Sequence, residues 1–383
     1  MAETRAELLA ESQPDLVRLL RYEIERDGPI TFARFMDLAL AHPEYGYYLS
    51  RDARAGFAGD FLTGPETHRI FGHALARQVA ECWDRLGQPT PFVVREDGAG
   101  SGTLARDIID ELRDERPDVL TTLRYELSDV NASRVAQGLD YLTNAGYGDL
   151  VADARDEPFS GVLLANELLD AFPVHRLVIR NGEPREVYVT WSDGWFADAE
   201  GLLSVETLVA PLAGLDLIEG QRLEVSPAAW KWAGRIGGRL QSGYAILIDY
   251  GYPAEQLYSP TERPDGTLRT YSQHLVGNDP YRRVGMQDLT AHVDYTAIAR
   301  NAESGGCDIL GLTSQAYFFA GLGIEELLLR LQTSGTDLPD YLNARQTIMH
   351  LLDPRALGRF HVLVLGKGVS GEPPLRGLSF SLR

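Results

Sequence analysis

The sequence predicts an α/β protein built on a mostly parallel sheet with helices on both faces. Short apolar runs, PFVVRE at 91–96, TTLRYE at 121–126, GVLLANE at 161–167, YAILIDY at 244–250 and FHVLVLG at 360–366, alternate with helical segments. Strands separated by helices fold into parallel units whose connections cover both faces. The first run also leads directly into a glycine turn and an amphipathic helix, which sets a ligand-sized gap at the end of a strand.

Ahead of the sheet, 16–26 (LVRLLRYEIER) space Leu16, Leu19, Leu20 and Ile24 as on a helix, and Gly28-Pro29 interrupts. Residues 31–41 (TFARFMDLALA) predict a second helix that stops before Pro43. Residues 43–66 are rich in Gly and Tyr without a period and read as a long ordered loop, followed by a helix over 68–87. Within 174–223, Asn181-Gly182 and Asp193-Gly194 between alternating stretches predict β-hairpins, and 251–290 are turn-rich with four prolines. Residues 288–295 (DLTAHVDY) are expected to begin a helix capped by Thr290, with Asp288 and His292 one turn apart. Residues 314–353 form a helical insertion before the last strand. The expected organisation is therefore an N-terminal helical cap at 1–88 and a sheet domain at 89–383, with insertions at about 174–223, 251–290 and 314–353.

Composition removes several functions. Acidic residues outnumber basic ones 55 to 36, a net charge of −19, so the basic footprint that binds nucleic acid or an anionic membrane is missing. No stretch reaches the ~18 apolar residues of a membrane span, and the N-terminus lacks the apolar core of a secretory signal. Cys82 and Cys307 form neither a disulfide framework nor a CxxC pair, and no HExxH occurs, so a cytoplasmic protein without a metal is expected.

The glycine turn carries the first chemistry. It reads Glu96-Asp97-Gly98-Ala99-Gly100-Ser101-Gly102-Thr103 and runs into a helix with Leu104, Ala105, Ile108, Ile109 and Leu112 on one face. Alternating glycines let the backbone approach a ligand, and amides at the helix start receive a carboxylate or phosphate. The spacing is G-x-G-x-G rather than the dinucleotide G-x-G-x-x-G, and there is no P-loop Lys-Ser/Thr. Glu126, at the end of the second run, is a carboxylate that could accept both hydroxyls of a ribose. A ribose joined to a carboxylate-bearing tail describes S-adenosyl-L-methionine; the bland alternatives are a structural loop and a solvated strand end.

With these residues in place the chain resembles the MidA-type methyltransferases, a family related to the mitochondrial arginine methyltransferase that assists complex I assembly. The shared strings run through most of the chain: ITFARFMDLALAHPEYGYY, GDFLTGPE, EDGAGSGTL, NELLDAFPVHR, EVSP, IDYGYPAEQLY, DGTLRTY, QDLTAHVDY and VLVLGKG. The resemblance implies a class I methyltransferase fold with a Rossmann-like, mostly parallel seven-stranded sheet, S-adenosyl-L-methionine as cofactor, and an arginine on a partner protein, such as a complex I subunit, as acceptor. It places Asp60 and Thr63 of GDFLTGPE over the cofactor beside Glu96, Gly98, Gly100, Gly102, Thr103 and Glu126. This loop departs from the family's usual residues at Asp97, Ala99 and Ser101; an extra carboxylate at Asp97 opposes a ligand carboxylate unless a partner holds it.

Methyl transfer from a sulfonium is an in-line displacement driven by orientation, and carboxylates can fix a cationic acceptor. Asn166, Glu167 and Asp170 follow a strand, where open α/β sheets bind ligands, and the resemblance assigns Glu167 and Asp170 to the acceptor. Either acid could instead cap the next helix. His175 is a candidate base or a structural histidine, and Tyr250 and Tyr252 are candidates to line an acceptor channel through cation–π contact or to pack in the core. Two other functions stay open: a small-molecule N- or O-methyltransferase, and a cofactor-binding or non-catalytic assembly factor. The hairpin insertion also leaves room for a homodimer.

Overall fold

The computed structural model describes residues 4–49, 68–272, 275–333 and 335–380. The chain divides into two compact units, each assembled from three stretches: an α/β unit of Leu62–Leu168, Ala233–Tyr250 and Ala299–Arg383, and a second unit of Met1–Phe61, Leu169–Trp232 and Gly251–Ile298.

The α/β unit contains seven strands in one sheet. In chain order they are β1 (Phe92–Asp97), β2 (Leu123–Ser128), β3 (Val151–Asp153), β4 (Phe159–Asn166), β5 (Leu240–Asp249), β6 (Asp308–Ser314) and β7 (His361–Lys367). They lie side by side as β6-β7-β5-β4-β1-β2-β3. Neighbours pair in parallel throughout, except that β7 runs antiparallel to both β5 and β6. The strand order reverses between β1 and β4, so the crevice beyond their C-terminal ends is where this topology leaves room for a ligand. β1 is buried at every position and β7 at all but its ends, as strands covered on two faces must be. Helices α1 (Ile70–Arg85), α2 (Thr103–Glu115) and α3 (Ala132–Asn144) belong to this unit; α2 buries Leu104, Ala105, Ile108, Ile109 and Leu112, the face its sequence spacing predicts. Helices Gln315–Gly321, Ile324–Thr333 and Leu338–Leu352 occupy the stretch before β7.

The second unit is built on an antiparallel meander, His175–Arg180, Glu183–Ser192 and Trp195–Gly201. Its turns hold Asn181 and Gly182 at φ 54° and 78° and Asp193 and Gly194 at φ 50° and 78°, the paired positive angles that tight hairpins require. Ile30 and Thr31 pair with Val189 and Tyr188, and Phe35 of helix Phe32–Ala41 meets Phe196 and Tyr281, each with ring centroids 5.4 Å apart. These pairings explain why the chain does not divide at 88/89: α1 belongs with the sheet, whereas the hairpin and turn-rich segments belong with the N-terminal helices.

Residues 288–294 differ from the helix expected there. They form strands Asp288–Thr290, which pairs antiparallel with Arg269–Ser272, and Val293–Asp294. The helix starts at Tyr295, and Asp294 rather than Thr290 caps it by accepting the Ala297 amide at 3.0 Å. Asp288 accepts the Tyr48 hydroxyl at 2.6 Å. Among the described residues no helix is long and apolar enough to cross a membrane.

Candidate active site

The α/β unit brings the glycine turn to the switch point of the sheet. β1 ends at Asp97, and Gly98, Gly100 and Gly102 carry the chain into α2 at φ 74°, 53° and 77°. The amides of Gly98 and Ala99 donate to the Ser128 carbonyl at 2.8 and 3.1 Å, and that of Gly100 donates to Asp129 Oδ2 at 3.1 Å. No side chain caps α2, and the Thr103 hydroxyl is spent on Ser101 Oγ at 2.8 Å. First-turn amides are thus left for an external acceptor. A Cβ on Gly98 would meet Leu168 at 3.1 Å and one on Gly102 would meet Leu142 at 3.3 Å, but one on Gly100 would meet nothing within 4 Å. Gly100 therefore borders open space, which a side chain there would enter.

The neighbouring carboxylates have separate fates. Asp97 is buried and bridged by both terminal nitrogens of Arg239 at 2.5 and 2.7 Å, which meets the condition set for an acid at this position. Glu96 is buried and accepts the Tyr125 hydroxyl at 2.7 Å; burial pushes its carboxyl up to about 8, against that hydrogen bond. Glu126 is not at a strand end, since β2 runs on to Ser128. Its Oε2 lies 2.7 Å from Arg95, and its Oε1 lies 2.8 Å from Arg124, with the side chain almost wholly buried. The carboxylate presented at the loop is Asp129, which the sequence reading passed over; its signal is the acid directly after the strand in ELSD.

Across the switch point, Asn166 is the last residue of β4, and its amide donates to Glu167 Oε1 at 3.3 Å. The Glu167 amide donates to the Ile248 carbonyl at 2.8 Å, and its φ of 48° lies in the left-handed region. A non-glycine residue held there stores strain, a common property of functional positions. Tyr250 is buried against Phe360, with centroids 5.1 Å apart.

Asp170, His175 and Tyr252 fall in the second unit. Asp170 is buried, and its carbonyl accepts the Ala291 amide at 3.0 Å. His175 Nδ1 lies 2.7 Å from Glu186 Oε1. Glu186 is fully buried; against that desolvation, His175 and the Ser204 amide hold its carboxyl below the usual range. The Tyr252 ring already carries the Arg263 guanidinium at 3.9 Å, a cation–π contact made within the chain itself. Asp60 and Thr63 lie outside the described residues.

Residues 74–313 match a family model described as "putative S-adenosyl-L-methionine-dependent methyltransferase". The Drosophila melanogaster protein named protein arginine methyltransferase NDUFAF7 homolog, mitochondrial, is 31% identical over 92% of this chain and 85% of its own. The Homo sapiens protein arginine methyltransferase NDUFAF7, mitochondrial, is 29% identical over 91% of this chain and 83% of its own. A COG1565 superfamily member from Burkholderia thailandensis, crystallised with S-adenosyl-homocysteine, is 32% identical, with a TM-score of 0.88 over 100% of this chain and 99% of that one. The expected methyltransferase fold and cofactor agree with these matches. The expected cytoplasmic location is corrected by them, because both NDUFAF7 proteins are named mitochondrial. The absence of an apolar signal could not decide the point: mitochondrial transit peptides are amphipathic and arginine-rich.

Proposed function

The chain belongs to this S-adenosyl-L-methionine-dependent methyltransferase family, and from that premise we propose that it methylates an arginine side chain on a partner protein. The cofactor supplies a methyl group on a sulfonium, an electrophile open to in-line displacement. The observation that carries the reading is the pairing of two features at the switch point: an uncapped, glycine-lined cradle at Gly100 and, beyond β4, the strained Glu167. The free amides of α2 suit the cofactor's carboxylate, and Arg239 keeps Asp97 from repelling it. Asn166 orients Glu167, whose carboxylate can hold a guanidinium and draw off the charge it gains on methylation. Asp170 and the His175–Glu186 pair are assigned to the acceptor side, His175 as the group able to take the departing proton. The protein acceptor and the arginine rest on the names of the relatives.

The test is incubation of the purified protein with isotopically labelled S-adenosylmethionine and the proteome of a strain lacking this gene, followed by mass spectrometry. Labelled methylarginine in a protein is the expected result. Label in a metabolite and in no protein would replace the reading with a small-molecule methyltransferase. Failure to bind cofactor at millimolar concentration would leave a non-catalytic assembly factor.

A further inference from the structure

Strand Glu183–Ser192 of the inserted meander holds an acid at one of its buried positions. Glu186 is 0% exposed; its Oε1 lies 2.7 Å from His175 Nδ1, and its Oε2 accepts the Ser204 amide at 2.6 Å. All three residues belong to the second unit. Burial alone would raise this carboxyl, but the imidazole and the Ser204 amide outweigh it and hold the group below its usual range, so it stays ionised. A buried charge of this kind adds little to stability, because apolar residues of similar volume pack at least as well. Its presence instead fits a functional role, and the group it grips is the imidazole already assigned to the acceptor side.

An ionised carboxylate only accepts hydrogen bonds, so the proton between the pair sits on Nδ1. In the neutral ring the other nitrogen, Nε2, then carries the lone pair. Nε2 makes no hydrogen bond among the described residues, and the His175 side chain is 14% exposed. We propose that Glu186 positions His175 as the base of methyl transfer, by fixing the Nδ1–H tautomer so that Nε2 takes the proton of the acceptor nitrogen; the proposal rests on the reading that the acceptor is an arginine. As that nitrogen gains the methyl group its N–H bond breaks, the electron pair stays on nitrogen, the carbon–sulfur pair leaves with the thioether, and the proton ends on Nε2. The imidazolium so formed faces Glu186, whose negative charge stabilises it. The hairpin insertion therefore supplies a part of the reaction machinery.

Both Glu186 oxygens are acceptors in use, and a glutamine has only one. In Glu186→Gln, an amide oxygen turned to His175 would set the side-chain NH2 against the Ser204 N–H, donor facing donor. The oxygen therefore goes to Ser204 and the NH2 to His175 Nδ1, which must then accept. The ring proton moves to Nε2, and the nitrogen that should take the acceptor's proton is blocked.

Long-range proton–nitrogen NMR of the full chain, labelled at its histidine nitrogens, reads the tautomer directly; the His175 signals are those missing from His175→Ala. At the pH where the ring is neutral, the parent is expected to show Nδ1–H and Glu186→Gln to show Nε2–H. The initial rate of labelled methylarginine formation in the proteome of a strain lacking this gene should fall ~100-fold or more in Glu186→Gln, with the KM for S-adenosylmethionine unchanged. In the His175→Ala background the same substitution should cost nothing further, whereas a merely structural acid would cost as much there as in the parent. An Nε2–H ring in the parent, full activity in Glu186→Gln, or additive losses would overturn the proposal and leave arginine methylation standing. A parent that binds cofactor and forms no methylarginine overturns the reading beneath, and the proposal with it.

Discussion

Removing Arg239 should damage both stability and cofactor binding, and removing Asp97 as well should repair most of the damage. The Asp97 side chain is 8% exposed and that of Arg239 is 25% exposed, so one partner is deep and the other reaches water. Two unit charges ~4 Å apart at an effective dielectric of ~20 attract by about 4 kcal/mol. Breaking a buried pair by deleting one member typically costs about 3–5 kcal/mol, because the other charge is left desolvated. The partial exposure of Arg239 places Arg239→Ala near the lower end, about 3 kcal/mol. Asp97→Asn should cost only ~1 kcal/mol, since Arg239 can turn to solvent and an amide oxygen still accepts. The double variant should then stand ~1 kcal/mol below the parent, a coupling of ~3 kcal/mol. Urea denaturation of the four proteins gives the cycle, and calorimetry with S-adenosylhomocysteine gives the functional half. In Arg239→Ala the carboxylate that has lost its guanidinium sits beside the cradle and should weaken the ligand at least ~10-fold, with recovery on adding Asp97→Asn. Additive penalties, with coupling under ~0.5 kcal/mol, or an unchanged affinity in Arg239→Ala, would refute the claim that this pair protects the cofactor's carboxylate.

Gly100→Val should abolish S-adenosylhomocysteine binding by filling the cradle, at a stability cost of ~1–3 kcal/mol from a β-branched residue at φ 53°; retained binding in calorimetry would mean the ligand lies elsewhere. Glu167→Gly should relieve a left-handed backbone worth ~1–2 kcal/mol, partly offset by glycine's chain entropy of ~0.5–1 kcal/mol. That variant should unfold at the same or higher urea concentration while methyl transfer is lost, and full activity would remove the carboxylate from the chemistry. The Glu96 carboxyl is raised from 4.5 to about 8 in the fold, so the native state favours its protonated form. Its contribution is complete below about pH 4.5 and is lost as pH rises through about 8. Glu96→Gln should accordingly lose less stability than the parent between pH 5 and 8.5, and parallel urea midpoints across that range would contradict the assignment.

The strands that announced themselves in the sequence are those buried on two faces. β4, β5 and β7 carry continuous apolar runs, β1 the shorter FVV and β2 an alternation of apolar and polar residues, and each appears within a few residues of its expected position. β3 and β6 were passed over for the same physical reason: three half-exposed or exposed residues in one case, and a half-exposed DILGLTS in the other, leave no apolar period to detect. The hairpin turns were legible because Asn-Gly and Asp-Gly adopt paired positive φ at little cost. The grouping of the N-terminal helices with the meander was not, because the pairing of Ile30 with Val189 joins segments far apart in the chain and leaves no local mark. Nor was the strand at 288–290, although Leu289, Ala291 and Val293 alternate; a charge pattern at helical spacing drew attention from that period of two.

The site divides in a similar way, between what a backbone must do and what a side chain happens to meet. Glycines at 98, 100 and 102 were legible because only glycine takes those angles freely, and the sequence therefore located the cradle. Carboxylates carry no such constraint: an acid in a sequence states a charge and says nothing about its partner. Glu96, Asp97 and Glu126 stand within or beside the same crevice by sequence, yet Tyr125, Arg239 and the Arg95–Arg124 pair each take one of them. Burial makes those partners obligatory, since an unpaired desolvated acid is costly, so the acids closest to the glycine turn are the ones least free to serve a ligand. An acid held on a strained backbone has the better claim to function, and by that criterion Glu167 ranks ahead of Glu126.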